Sequence, residues 1–307
     1  MKILKIIAAS VCSAILLSGC SASPENNPAD TFTDALGQVI TVEHTVTAVA
    51  CSSSLAELWQ LAGGELVGVT SDVYDEGRFE VPGAAETIGS VKSPSAELII
   101  QLDPDIVLLS ADITEHTALR SSLSGAGIKI VYFSVETFDD YLSALDNCTD
   151  MTGHKELYEQ NGTAVKERVD AVIAKAAGKP SPDVLYIRAY STGAKAKGSD
   201  TMTGRMLADL NCTNIADSSA ALTADLSMEE IIRRDPDFIF VTTMGNDTEK
   251  ALKTLDEILM SNPAWSELTA VKNGKYRVLP KELFHYKPNA RWDESYEMLY
   301  EILYENN

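Results

Sequence analysis

The chain has 307 residues, 45% hydrophobic and 23% charged, a globular composition long enough for two packed lobes. Its 25 Lys+Arg against 45 Asp+Glu give a net charge of −20. With no basic surplus to neutralise phosphates, no nucleic-acid partner is expected.

Lys2 and Lys5 precede the apolar run Ile6–Leu17, which is too short to cross a bilayer, so residues 1–19 read as a signal peptide. Leu17-Ser18-Gly19-Cys20 resembles a bacterial lipobox. That resemblance implies that Cys20 is acylated, becomes the first mature residue and ties the protein to the membrane by lipid. Residues 20–30, short, polar and proline-bearing, suit a tether. Loss of the two lysines takes the charge from −20 to −22. Cys51, Cys148 and Cys212 are scattered, with neither a disulfide framework nor zinc spacing, and read as small buried hydrophobes.

The first lobe is expected over 31–152. A hairpin is predicted around Leu36-Gly37, then a strand at Val46–Ala50, a helix at Leu55–Ala62 capped by Ser52-Ser53-Ser54, and a strand at Leu66–Thr70. Residues 71–94 read as a long irregular loop, the kind that carries function. Next come a helix near 113–124, a strand at Ile128–Phe133 and a helix over 137–151. A long helical pattern, 154–177 within a linker of 153–178, would span roughly 36 Å at 1.5 Å per residue, enough for a strut between lobes. Gly162 is its weak point. A second lobe over 179–307 has strands at Val184–Ile187, Phe238–Thr242 and Tyr276–Leu279, with helices near 202–209, 228–234, 248–260 and 289–304.

One unit occurs twice. Residues 95–110 (SAELIIQLDPDIVLLS) and 227–242 (SMEEIIRRDPDFIFVT) agree at seven of sixteen positions. Each opens with a capping serine and an early glutamate, stops at Asp-Pro-Asp and runs into an apolar strand. Proline lacks a backbone donor and disfavours helix in the residue before it, so the breaks fall at Asp103-Pro104 and Asp235-Pro236. Two similar α/β lobes follow, with mostly parallel sheets covered on both faces.

The lipobox, the Ser-rich turn ACSSSLAELWQLAGGELVGV, the paired S-x-E…P-D units, the linking helix and the aromatic C-terminal helix together resemble a substrate-binding protein of an ABC importer. The group it is most similar to handles ferric siderophores, haem and cobalamin. The resemblance covers the whole mature chain. It implies two three-layer α/β/α lobes joined by one long helix (the class III periplasmic-binding-protein type), a ligand held between them, and modest closure. It also implies partnership with a permease dimer and its ATPase, docked through one glutamate per lobe, Glu97 and Glu229 by position. Glu230 is a competitor for the second role, since Ser227 and Glu230 have capping-box spacing. The protein is expected to work as a monomer, without a resident cofactor.

Ligands of α/β sheets sit at the C-terminal ends of parallel strands. Those loops offer Ser52, Ser53, Ser54, Tyr74, Arg78, Ser110 and His116 from the first lobe. From the second come Arg188, Tyr190, Lys195, Lys197, Met244 and the run 284–292, with Phe284, His285, Tyr286 and Arg291. Arg188, Lys195, Lys197 and Arg205 are offset only by Asp200, which suggests an anionic ligand; the aromatic run suits a ring-bearing one. Only four histidines occur and none is clustered with acids, so a bare metal ion fits poorly. A ferric siderophore saturates its own iron and fits best, with haem and cobalamin as alternatives. No Walker A loop, G-x-G-x-x-G, G-x-S-x-G or H-E-x-x-H pattern supports an enzyme. A ligand sensor on the same fold remains a further alternative.

Overall fold

The computed structural model describes residues 31–305, apart from Glu43, Thr45, Val46, Pro82, Ala84 and Asn246. The expected leader, Cys20 and the tether lie outside the described residues. Among those residues no helix is long and apolar enough to cross a membrane.

Two five-stranded sheets carry the fold. The first runs Glu86–Thr87, Glu65–Val69, Thr47–Ala50, Ile106–Ser110, Lys129–Phe133, all parallel. The second runs Gly193–Ala196, Asp183–Tyr190, Phe238–Thr243, Tyr276–Val278, with Thr213–Asn214 beside Asp183; all pairs but the first are parallel.

Side chains alternate across a strand, so each sheet has two buried faces. Ala48, Ala50, Ile106 and Leu108 of the first sheet, and Val184, Tyr186, Phe238 and Phe240 of the second, join one apolar cluster common to both lobes. That cluster also takes Trp59, Tyr141, Val165, Val169, Trp292 and Tyr296 from the helices. The opposite faces have their own clusters, around Val49, Val107 and Tyr132 in the first lobe and Ile187, Ile239 and Val241 in the second. The result is two α/β/α lobes fastened by a shared helical core.

The duplicated unit is built alike in both copies. Ser95 and Ser227 cap helices Ala96–Leu102 and Met228–Arg234 by accepting from the amides of Leu98 and Glu230. Asp103 (φ 46°) and Asp235 (φ 43°) end them in the left-handed region, a conformation that short polar side chains tolerate. The second aspartate of each triplet ties down the neighbouring strand. Asp105 accepts from the Thr47 amide at 2.9 Å, and Asp237 from the Asp183 amide at 2.9 Å.

The linker is a continuous helical stretch, Lys155–Tyr158, a π turn Glu159–Thr163, and Ala164–Ala176. Gly162 lies in the π turn, where a Cβ would stand 3.0 Å from the Tyr158 ring. Asn161 holds this turn to the first lobe, donating to Leu61 O (2.8 Å) while its own carbonyl accepts from Tyr141 (2.8 Å). The far half is paired to the helix Trp292–Tyr300 through Arg168–Asp293 and Lys175–Glu297.

Two expectations need correction. Residues 71–94 are not one irregular loop: they contain a helix, Asp72–Glu76, and the edge strand Glu86–Thr87, whose two-residue ladder is too short to leave a periodicity. The basic stretch after Arg188 is the turn and return strand of a hairpin, with Arg188 opposite Lys195.

Candidate functional site

Between the lobes lies a cavity of about 290 Å³, formed where the parallel strands end. The first lobe contributes the start of helix Ser53–Leu61. Ser52 caps it by accepting from the Leu55 amide, and its hydroxyl stands 3.4 Å from that of Ser54. Ser110 ends the strand Ile106–Ser110, Asp112 follows it, and Glu136 follows the strand Lys129–Phe133. The second lobe contributes Arg188, Met244, His285 and Lys287. A second cavity of about 770 Å³ adjoins at Met244 and His285 and extends past Asp72, Glu76, Lys281 and Tyr286.

Arg188 is half-buried. Its Nε has no hydrogen-bond partner among the described residues, and its one hydrogen bond is a long 3.4 Å contact to the Tyr186 hydroxyl. Burial opposes its charge, but Tyr186, Tyr190 and Glu136 outweigh this and hold the pKa above the usual guanidinium value. His285 is pulled the other way: burial, then Arg188, Lys281 and Lys287, push it down to about 4. The imidazole is therefore neutral at pH 7, and its buried Nδ1 has no partner among the described residues. The second-lobe wall thus pairs cations with a neutral nitrogen able to donate or accept.

A polar seam joins the lobes along one edge of the cleft. Arg78 pairs with Glu57 at 2.5 Å and donates to the Lys287 carbonyl at 2.5 Å. Asn289 donates to Ser54 O (3.0 Å) and to Glu57 (2.8 Å). The Lys287 amine meets Glu136 at 2.6 Å. Burial raises the Glu57 carboxyl above its usual range despite Arg78 and Asn289. Glu76 is pushed up to about 7, mainly by burial.

Of the residues predicted from sequence, Ser52, Ser54, Ser110, Arg188, Met244 and His285 line the inner cavity, and Tyr286 the outer one. Others stand elsewhere. Ser53 is buried, its amide donating to Asp72. Tyr74 is 55% exposed and donates to Ala85 O. Arg78 belongs to the seam, with the Tyr286 ring 5.9 Å away. Tyr190 ends its strand opposite Gly193, while Lys195 lies opposite Arg188 on the return strand and the Lys197 amide donates to Tyr186 O, neither lining the two cavities. Phe284 is wholly buried, its carbonyl accepting from Thr203. Arg291 is held by Glu294, and Arg205 by Asp209. His116 accepts from the Ser110 amide at Nδ1 and bonds Val91 O through Nε2, so both its nitrogens are engaged. Among the described residues no cluster of three or more His, Cys, Asp or Glu could hold a metal.

Sequence reasoning missed Asp112, Glu136 and Lys281. The rule that named Ser110 would also have named Asp112 and Glu136, which follow strand ends by a few residues. Lys287 lay inside the run already singled out.

Glu97 and Glu229 are both exposed, in the first turns of the twin helices. Glu230 is paired with Arg233 (2.5 Å) and Arg234 (2.8 Å), so it closes no capping box.

A family profile described as periplasmic binding protein matches residues 49–283. The Fe(3+)-citrate-binding protein YfmC of Bacillus subtilis (strain 168) is 22% identical over 286 residues, covering 89% of this chain and 88% of that protein. Among solved structures, an ABC transporter substrate-binding protein from Listeria monocytogenes EGD-e superposes with a TM-score of 0.71 at 22% identity, over 85% of this chain and 100% of that one. S. aureus IsdE complexed with heme gives 0.71 at 17% identity, over 85% and 99%. At these identities the structures establish the fold alone.

Proposed function

The chain belongs to the periplasmic binding protein family, and from that premise we propose that it is the solute-binding component of an ABC importer that captures a ferric siderophore between its lobes. It is held to the extracytoplasmic face of the membrane by lipid on Cys20 and hands its cargo to a permease dimer with its ATPase. The observation that carries the ligand reading is the second-lobe wall, where Arg188 Nε has no hydrogen-bond partner among the described residues and His285 presents a neutral imidazole. A ferric chelate has its iron already saturated and offers outward oxygen atoms. Such a ligand needs charge and hydrogen bonds from the protein, not metal ligands. The similarity to a Fe(3+)-citrate-binding protein supports the same class.

Delivery rests on Glu97 and Glu229. Both are exposed at equivalent places on the twin helices, whereas the neighbouring Glu230 is already paired. Exposed ion pairs contribute only ~0.2–1 kcal/mol each, which suits a complex that must form and dissociate repeatedly.

A specific observation favours haem as the second reading. The unpartnered Nδ1 of His285 and the 41% exposed Met244 lie together where the two cavities meet, and an imidazole and a thioether are axial-ligand chemistries. Protein purified from its own host decides by absorption spectrum and native mass. A broad visible charge-transfer band with the mass of a ferric chelate is expected. A Soret band would replace it with haem, and tight binding of free divalent metal alone would overturn the chelate reading.

A further inference from the structure

The two walls of the cleft carry opposite charge. On the first lobe, Asp112 and Glu136 line the inner cavity and Asp72, Asp75 and Glu76 the outer one. The cation on this wall, Lys92, stands 3.8 Å from Glu115. On the second lobe the charged lining is Arg188, Lys287 and Lys281, with no carboxylate among them. Inside the inner cavity the charges cancel, two acids against two bases, so the site is polarised and not simply basic. Among the described residues the acids are not all neutralised by partners: the carboxylate of Asp112 receives only the Ser134 hydroxyl, and Asp72 keeps one buried oxygen without a partner.

An all-anionic chelate would gain from one wall and be repelled by the other, because like charges brought together at a desolvated surface disfavour a ligand. Resting on the solute-binding reading above, we propose that the cargo is a dipolar ferric chelate. Its anionic coordination shell lies against Arg188, His285 and Lys287, and a cationic amine arm lies against Asp112 and Glu136. The Glu136–Lys287 pair at 2.6 Å is the point where the two walls meet, so an amine arm takes the carboxylate and frees the lysine for the anionic shell.

Calorimetric titration with two probes tests this: a ferric tris-catecholate with a pendant primary amine, and the same chelate N-acetylated. Wild-type protein is expected to bind the amine form about tenfold more tightly, or ~1.4 kcal/mol. In an Asp112→Asn, Glu136→Gln variant the preference should fall to within about twofold, and ferric citrate should bind more tightly than to wild type. Equal affinities in wild type would overturn the dipolar assignment while leaving chelate capture intact. So would a double variant that weakens every chelate equally, since those carboxylates would then only hold the lobes together. Failure of all ferric chelates to bind would overturn the capture reading as well.

Discussion

Arg188→Met is the most informative single change, because it separates binding from stability. The guanidinium is half-buried and, among the described residues, leaves Nε unbonded and makes a 3.4 Å contact to Tyr186. Burial opposes the charge while Tyr186, Tyr190 and Glu136 favour it, and an unbranched apolar chain of similar length fills the same space with neither effect. Methionine should therefore change stability by no more than about 1 kcal/mol, which at this size moves Tm by roughly 2 °C or less. A hydrogen bond from a charged group contributes ~1.5–3 kcal/mol. Losing it should weaken binding of a ferric chelate about 10- to 150-fold. Isothermal titration and scanning calorimetry on the same samples give both numbers. A fall in Tm with unchanged affinity would refute the reasoning, since it would make Arg188 a structural cation.

Glu97→Ala with Glu229→Ala should abolish uptake of the ferric chelate in cells with no change in its Kd, while Glu230→Ala should leave uptake near wild type; normal transport by the double variant would remove the docking role. The pKa of His285 is depressed in the fold from 6.5 to about 4, so the unfolded chain binds more protons between those values. Stability should fall as pH drops through that window and level off above about 6.5, and a Tm-against-pH profile of His285→Gln should be flatter there. Gly204→Ala would set a Cβ 2.0 Å from the Gly198 carbonyl oxygen; denaturant unfolding should show a loss of about 1–3 kcal/mol, and an unchanged midpoint would mean the helix Met202–Asp209 can shift.

Elements with a strong local signal were legible from the sequence. The Asp-Pro-Asp breaks, the capping serines and the apolar runs of the central strands are written in consecutive residues. The structure places the twin helices and the strands after them within a residue or two of expectation. What the sequence could not show is why the second aspartate recurs: Asp105 and Asp237 reach back to strands 58 and 54 residues away. The strand Glu86–Thr87 was unreadable for a related reason, as two residues held by neighbours in space carry no pattern of their own. The long helix was read as a strut, yet its inner face belongs to an apolar cluster that both sheets share. That feature depends on Trp59, Tyr141 and Trp292 meeting across more than 200 residues of chain.

The site divides along the same physical line. Residues chosen by position at strand ends, such as Ser52, Ser110 and Met244, line the cavity, because topology alone fixes where strands finish. Residues chosen by charge or aromaticity fared unevenly, since a side chain's availability depends on partners that are remote in sequence. Arg78 looks like a free cation until Glu57 and the Lys287 carbonyl are seen on either side of it. Phe284 looks like a ring for stacking until it is found at zero exposure. Net charge is the least direct guide. A total of −20 makes any basic stretch stand out as an anion site, but Coulomb interactions fall with distance and are screened beyond about 8–10 Å. Only the charges facing the cleft bear on the ligand, and there Asp112 and Glu136 balance Arg188 and Lys287. The sign pattern across the gap, and not the sum over the chain, is what a ligand meets.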